Sequence, residues 1–210
     1  MAVINIVGAI GAGKSTLAKK LNTEFGVPVS YESGKEELSP KTREILHKYY
    51  ENPNKYALEK NKHFLELRET SLRINQNQPL YISDRFLFDD YLMAVVNLKS
   101  GQLTQAEFDE YQKAFDQTVV RTQFGNQAKS VVVFLNPDFK QTLAQIEQRG
   151  RDEELVSTHP ELRQYYESVH ALYDETFKQW SSSPIIELDS VETTDLNALM
   201  SKINNVLDIQ

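Results

Sequence analysis

The chain has 210 residues, of which 40% are hydrophobic and 25% charged, a composition typical of one globular domain. Its formal net charge of −7, with lysines and arginines dispersed along the chain, argues against a nucleic-acid polymer as a partner. The absence of cysteine excludes disulfides, cysteine-ligated zinc and thiol catalysis. No signal-peptide pattern or membrane-length apolar run occurs, so we expect a cytoplasmic protein without a membrane partner.

Short apolar runs rich in β-branched residues alternate with segments of helical periodicity. The runs have the length of buried parallel strands and span 3–7, 27–30, 80–83, 131–135 and 185–188. Helical spacing of apolar residues is clearest at 108–119 and 162–180, and 40–75 forms a longer helical excursion between two strands. This alternation predicts an α/β fold over 1–210, with a five-stranded parallel sheet flanked by helices.

The first strand-like run leads directly into GAIGAGKST, which matches the pattern G-x-x-x-x-G-K-[ST]. Glycines let such a loop curl so that backbone N–H groups converge on phosphate oxygens, and the following helix directs its positive end at them. The lysine can reach the outer phosphates, and the serine hydroxyl can ligate Mg²⁺. The sequence therefore predicts a nucleoside-triphosphate site formed by Gly8, Ala9, Ile10, Gly11, Ala12, Gly13, Lys14, Ser15 and Thr16.

Acidic residues follow the second and third strand-like runs, at the sheet edge where open α/β sheets bind ligands. Glu32 can accept a proton from an attacking hydroxyl, or it can be a solvated loop residue. Asp84 can hold Mg²⁺ together with Ser15, and Arg85 can orient an acceptor hydroxyl. A strand-end salt bridge or a helix cap is the plainer alternative for Asp84.

A loop with two arginines lies between the last two long helical segments. Its sequence, QRGRDEE at 148–154, places Arg149 and Arg151 on either side of a glycine. Such a loop can close over a transferring phosphoryl group and spread its charge. A solvated, charge-balanced turn explains the same pattern equally well.

Taken in order, these motifs resemble those of the deoxynucleoside kinase family. The resemblance covers roughly residues 3–180 and rests on YES at 31–33, KYYENPNKYAL at 48–58, SDR at 83–85 and QRGRDEEL at 148–155. It implies a P-loop kinase fold with an arginine-containing lid at about 145–156. It also implies transfer of the γ-phosphate of ATP, with Mg²⁺, to the 5′-hydroxyl of a deoxyribonucleoside, with purines favoured as in the bacterial members.

The resemblance assigns roles residue by residue. Catalytic roles, the general base first, fall to Glu32, Arg85, Arg149 and Arg151. Contacts to the nucleoside fall to Glu32, Tyr50, Asn61, Arg68, Arg85, Asp90 and Glu154. Metal ligation falls to Ser15 and Asp84. In these roles Tyr50 and Glu154 hold the sugar 3′-hydroxyl, and Arg68 and Asp90 lie along the base.

The acceptor side departs from the family pattern. Phe86 replaces a small polar residue, and Asn61 is one methylene shorter than the usual base-reading glutamine. Lys60 and Lys62 add charge to a helix that is normally apolar. Directed at the pocket, they would make a nucleoside monophosphate kinase, but positions two apart on a helix diverge, so we expect a solvated face.

Two further expectations concern assembly and the next helix. Family members often pair through helices, which implies a homodimer or a heterodimer with a related subunit. A nucleotide-binding regulatory subunit with little turnover is therefore a third hypothesis. Asp89 and Asp90, despite the role that the resemblance gives Asp90, could also form a helix surface.

Overall fold

The computed structural model describes residues 2–31, 38–75, 77–123, 129–180 and 183–209. Strands within these residues are β1 (Ala2–Val7), β2 (Val29–Ser30), β3 (Leu80–Asp84), β4 (Lys129–Leu135) and β5 (Ile185–Leu188). The α-helices are α1 (Lys14–Phe25), α2 (Pro40–Glu51), α3 (Pro53–Asn75), α4 (Leu87–Lys99), α5 (Gln105–Gln123), α6 (Phe139–Arg149), α7 (Leu162–Trp180) and α8 (Leu196–Leu207). A single 3₁₀ turn, Asp152–Glu154, follows α6.

The strands form one parallel sheet in the order β2-β3-β1-β4-β5, which confirms the predicted α/β class and strand number. The second strand is shorter than predicted, since β2 begins at Val29 rather than at residue 27. Proline at position 28 has no N–H to donate to a ladder, although its carbonyl accepts from the N–H of Ile82. The ladder between β2 and β3 therefore starts one residue later.

Helices cover both faces of the sheet, because alternate strand residues point to opposite sides. Ile4 and Ile6 of β1 pack on one face with Leu17 and Leu21 of α1 and with α8. Val7 of β1 and Val132 and Phe134 of β4 pack on the other face, against α4, α6 and α7. None of the described helices combines the length and the apolar character needed to cross a membrane.

A second, smaller core joins α2, α3, α4 and α5 beside the sheet. Pro53 begins α3 directly after α2 ends, so the predicted helical excursion is two helices in close contact. Because β1 and β3 are neighbours with Ile6 opposite Asp84, the end of β3 lies next to the loop that follows β1. This register brings the sequence motifs of the two strands together.

Candidate active site

The conformation of the loop from Gly8 to Gly13 depends on its backbone and its glycines. Gly8 and Gly11 adopt φ of 148° and 81°, and a Cβ at Gly8 would lie 2.4 Å from the carbonyl oxygen of Leu135. Lys14 Nζ donates to the carbonyls of Gly8 and Ala9 at 2.8 and 2.7 Å, so the ammonium lies against the loop. The N-cap residue of α1, Gly13, has no side chain to bond to the first backbone N–H groups of the helix. Backbone N–H groups at a helix N-terminus suit an anion. Thr16 is an exposed residue of the first turn.

Ser15 and Asp84 meet at the ends of α1 and β3. The Ser15 hydroxyl donates to Asp84 Oδ2 at 2.6 Å. In the described residues no three His, Cys, Asp or Glu side chains gather into a metal site. One carboxylate and one hydroxyl suit Mg²⁺, which takes few protein ligands and completes its shell with phosphate oxygens and water. The two predicted ligands therefore lie together and have the chemistry that Mg²⁺ requires.

Arg85 is held in place by buried partners from two helices. Its φ of 79° is unusual for a residue with a side chain, and its N–H donates to the Ile6 carbonyl at 2.9 Å. Its guanidinium donates to the Tyr173 hydroxyl at 3.5 Å, and that hydroxyl donates to Asp89 Oδ1 at 2.7 Å. Asp89 Oδ2 accepts from the Phe86 N–H at the start of α4. Burial raises the pKa of Asp89, and Arg85 and Tyr173 counter that shift.

The interpretation of Asp89 and Asp90 as a helix surface is wrong, since both are buried. Arg68 Nε donates to Asp90 Oδ2 at 3.2 Å, and its Nη1 donates to the Asp84 carbonyl at 3.0 Å. Arg68 itself is 1% exposed. The predicted Arg68–Asp90 pair therefore exists, and it joins α3 and α4 to the end of β3.

Both arginines of the predicted lid contact one buried carboxylate. Glu154, which is 4% exposed, accepts from Arg149 and, at 3.2 Å, from Arg151. The Tyr50 hydroxyl lies 3.4 Å from the same carboxylate, and Tyr166 donates to the Glu154 carbonyl at 3.0 Å. The structure thus brings together the predicted lid arginines and the predicted sugar-binding pair.

The prediction that Lys60 and Lys62 form a solvated face is wrong for Lys60. The expected solvated face holds for Lys62, whose ammonium contacts Glu110 on α5. Lys60 instead is 5% exposed, donates to Asn97 Oδ1 at 3.2 Å and lies 4.0 Å from the centre of the Tyr49 ring. The two lysines diverge, as positions two apart on a helix should, but Lys60 points into the protein and only Lys62 points to solvent.

Sequence reasoning missed Asn97 and Tyr49, which organise this end of the site. Asn97 Oδ1 accepts from both Lys60 and, at 3.3 Å, Asn61, while its Nδ2 donates to the Tyr49 hydroxyl at 2.9 Å. Asn97 belongs to none of the motifs above, and Tyr49, although it lies within the KYYENPNKYAL motif, was given no role there. A lysine inside an otherwise amphipathic helix was the one available signal that a buried polar partner exists.

One cavity, open to solvent, is lined by several of these groups. Its walls include Ser15, Asp84, Arg85, Glu154, Asn61 and Lys60. The predicted general base, Glu32, lies outside the described residues, but Tyr31 directly before it lines the cavity. A concave site with several convergent polar groups suits a small organic molecule next to the phosphate loop.

Comparison with known proteins agrees with this geometry. The sequence profile of the family described as Deoxynucleoside kinase matches residues 4–208. A deoxyguanosine kinase of Lactobacillus johnsonii is 28% identical over 90% of this chain and 82% of its own length. A deoxyadenosine/deoxycytidine kinase of Bacillus subtilis is 26% identical over 98% of this chain and 90% of its own length.

Solved structures give the same result at the level of the fold. A deoxyadenosine kinase of M. mycoides with bound dATP superimposes with a TM-score of 0.76 at 25% identity, covering 98% of this chain and 99% of that one. The structure of that kinase with bound dCTP gives a TM-score of 0.75 at 24% identity, over 97% and 99% of the two chains. The chain therefore belongs to the deoxynucleoside kinase family, whose members are ATP-dependent phosphotransferases.

Proposed function

We propose that this protein transfers the γ-phosphate of ATP to the 5′-hydroxyl of a purine deoxyribonucleoside, with Mg²⁺. The observation that carries the proposal is that one cavity is lined by groups beside the phosphate loop, in the predicted lid and on α3. Ser15 and Asp84 are bonded to each other, Tyr50 lies against Glu154, and Asn61 is bonded to Asn97 of α4. A nucleoside whose 5′-end points to the donor would present its sugar to Tyr50 and Glu154 and its base to Asn61.

The donor end has the groups that phosphoryl transfer needs. The loop N–H groups and Lys14 would bind the phosphates of ATP, and Ser15 and Asp84 would ligate Mg²⁺. When bound, Mg²⁺ neutralises charge on the β- and γ-phosphate oxygens. Arg149 and Arg151 form ion pairs with Glu154 in this structure. When nucleotide is bound, the two guanidinium groups would turn from Glu154 to the same phosphate oxygens.

The reaction itself needs a base and an oriented acceptor. Glu32 would take the proton of the 5′-hydroxyl while that oxygen bonds to the γ-phosphorus. The bond from the γ-phosphorus to the bridging oxygen breaks, and ADP leaves with that oxygen. Arg85, held by Tyr173, would keep the hydroxyl in line for this displacement.

The names of relatives support a purine acceptor. The Lactobacillus johnsonii relative is named for deoxyguanosine, and a Lactobacillus acidophilus relative, 27% identical to this chain, is named for deoxyadenosine. The Bacillus subtilis relative is named for both deoxyadenosine and deoxycytidine. Tyr50 and Glu154 offer a hydroxyl and a carboxylate to the sugar 3′-hydroxyl. The family resemblance adds that tight packing near the sugar disfavours a 2′-hydroxyl, which favours deoxyribose.

A monophosphate acceptor is the less favoured alternative, even though Lys60 lines the cavity. Lys60 precedes Arg68 by eight residues, about 12 Å along α3. Arg68 contacts the Asp84 carbonyl at the end of β3, whereas Lys60 contacts Asn97 of α4. A 5′-phosphate next to the donor would be far from its ammonium.

A transfer screen tests the proposal. The protein is mixed with Mg·ATP and, separately, with each of the four common deoxynucleosides, their ribose counterparts and their monophosphates. We expect the fastest transfer to deoxyguanosine or deoxyadenosine and little to the ribonucleosides. Transfer to monophosphates alone would favour the alternative kinase, and ATP binding without any transfer would favour a regulatory subunit.

A further inference from the structure

Among the residues that the structure describes, Glu154 is the only carboxylate that either arginine of the lid contacts. Arg149 reaches it from the last residue of α6, and Arg151 reaches it from the residue before the 3₁₀ turn. The arginine side chains are 35% and 38% exposed, whereas the Glu154 side chain is 5% exposed. All three line the cavity. An anion of the protein itself therefore occupies the two cations that the proposed transfer needs.

The carboxylate is held more firmly than its two partners. The Glu154 carbonyl accepts from the buried Tyr166 hydroxyl at 3.0 Å, and its backbone N–H donates to the Arg151 carbonyl at 2.8 Å. The Tyr50 hydroxyl lies 3.4 Å from Glu154 Oε1. Long, partly exposed arginine side chains can turn to another anion while the backbone of the turn stays in place. Glu154 would then remain in the cavity wall without them.

A buried carboxylate needs hydrogen-bond donors. An ionised carboxylate only accepts hydrogen bonds, at about four sites, and a buried charge that loses its donors is strongly destabilising. A triphosphate that drew both arginines away would leave Glu154 with Tyr50 as its one side-chain donor in the described part of the chain. Binding of ATP alone is therefore opposed by the loss of both ion pairs.

We propose that Glu154 couples the binding of the two substrates. It holds the lid arginines until the 3′-hydroxyl of the acceptor sugar donates to the carboxylate and compensates for their departure. This inference rests on the proposed function, in which the sugar faces Tyr50 and Glu154. ATP and the deoxynucleoside then tighten each other's binding, because the coupling between two sites is reciprocal. A donor site that stays weak until the acceptor has bound also limits loss of the phosphoryl group to water.

Calorimetry on the unaltered protein measures this coupling. The non-hydrolysable analogue β,γ-imido-ATP is titrated with Mg²⁺ into the protein alone and into protein saturated with deoxyguanosine or deoxyadenosine, whichever the transfer screen finds faster. A third titration uses protein saturated with the 2′,3′-dideoxy counterpart. We expect the deoxynucleoside to lower the Kd of the analogue by about 5- to 150-fold, the usual range for coupled sites. The dideoxynucleoside, which lacks the 3′-hydroxyl, should leave that Kd close to its value for the protein alone.

Variants then assign the coupling to one carboxylate. Glu154→Gln removes the charge, so both arginines become available to phosphate before the acceptor binds. We expect this variant to bind the analogue more tightly than the wild type without nucleoside, and to gain little when nucleoside is added. General damage to the fold would not tighten binding. Glu153→Gln is the matched control, because Glu153 lies in the same 3₁₀ turn but is not among the residues that line the cavity. Its Kd values should match those of the wild type.

The outcomes separate the coupling from the function beneath it. Equal Kd values with and without the deoxynucleoside, or equal tightening by the dideoxynucleoside, would overturn the coupling and leave the kinase function standing. Weaker binding of the analogue to Glu154→Gln without nucleoside would mean that Glu154 supports the donor site, and would overturn the coupling too. Failure of every nucleoside in the transfer screen would overturn both the coupling and the proposed function.

Discussion

The two ends of the cavity are built from different parts of the protein. At the donor end, a loop of consecutive residues curls on its own backbone, and Lys14 donates to two carbonyls within it. At the acceptor end, side chains from three helices meet, namely Tyr49 of α2, Lys60 of α3 and Asn97 of α4. The donor end therefore depends on backbone geometry, and the acceptor end depends on the identity of single side chains.

This difference has a functional consequence. A changed side chain at Lys60 or Asn61 can alter which molecule fits without disturbing the loop at Gly8–Lys14, because the sheet holds the loop separately. Chemistry and substrate choice can then vary independently. Variants that damage one end and spare the other are the direct way to test this separation.

The largest effect is expected from a change of the predicted general base, Glu32. Glu32→Gln keeps the shape of the predicted general base but removes its ability to take a proton. We expect kcat to fall by roughly 10²–10⁴, the usual contribution of a general base, while ATP affinity stays close to wild type. Steady-state kinetics and ATP titration measure the two quantities.

Glu24→Gln serves as the control for this variant, since Glu24 is an exposed residue of α1. Its turnover should match the wild type. Normal turnover in Glu32→Gln would remove Glu32 from the proposed role, and a loss of ATP affinity would mean that it supports the donor end instead.

Lys14→Ala should damage the donor end alone. Removing the ammonium takes away a cation next to the phosphates and the bond that it makes to the carbonyls of Gly8 and Ala9. We expect kcat/KM for ATP to fall by about 10²–10³, in line with the loss of one preorganised charge donor. Deoxynucleoside binding, measured by calorimetry without ATP, should remain.

Lys19→Ala, an exposed position of the same helix, is the matched control and should behave like the wild type. If Lys14→Ala bound ATP normally, the loop would not be the donor site. If it lost nucleoside binding as well, the two ends would not be separable.

The same division explains how much the sequence could predict. The five strands, the loop and the Ser15–Asp84 pair follow from local patterns, since strand ends in a parallel sheet lie at one edge. The burial of Lys60 does not follow from any local pattern. It depends on Asn97, which lies 37 residues away along the chain, and on the ring of Tyr49. Whether a lysine on a helix faces solvent is decided by which helices pack against it.

Asp89 illustrates the same limit. Two adjacent acids at the start of a helix suggest a solvated turn, and nothing nearby in sequence contradicts this. The residue that buries and bonds Asp89 is Tyr173, 84 positions later. Tertiary contacts across such distances are invisible to periodicity, and here they set the position of the Arg85 side chain.

Tyr173→Phe should have a moderate effect, because it acts on Arg85 indirectly. The variant leaves the buried Asp89 carboxylate without its 2.7 Å donor and removes a contact of the Arg85 guanidinium. We expect a loss of about 1–3 kcal/mol in the free energy of unfolding. We also expect kcat to fall on the order of tenfold, for about 1.4 kcal/mol of lost orientation, with KM for ATP unchanged.

Tyr111→Phe is an informative control, since Tyr111 is equally buried and its hydroxyl makes no hydrogen bond within the described residues. Its removal should leave stability unchanged or raise it. Urea denaturation of the two variants compares a bonded with an unbonded buried hydroxyl. Equal effects in both variants would remove the hydrogen bond between Tyr173 and Asp89 from the explanation.

The smallest effect concerns His63, in the helical wall of the acceptor end. Its Nε2 lies 3.0 Å from the Thr42 hydroxyl, and burial, with Lys41 nearby, lowers its pKa below the ordinary 6.5. The folded protein then keeps the ring neutral at a pH where the unfolded chain takes up a proton. Stability should therefore fall as the pH is lowered through 6.5, by at most about 1.4 kcal/mol for each unit of pKa depression.

His63→Gln removes the titrating group but can still bond to Thr42, so this variant should lose that acid-dependent part of the slope. Thr42→Val removes the hydroxyl and keeps the histidine, so it should be destabilised at every pH and retain the slope. Urea denaturation between pH 7.5 and 5.5 compares the three proteins, the range being set around the ordinary pKa of about 6.5. Equal slopes in wild type and His63→Gln would mean that His63 titrates alike in the folded and unfolded chains.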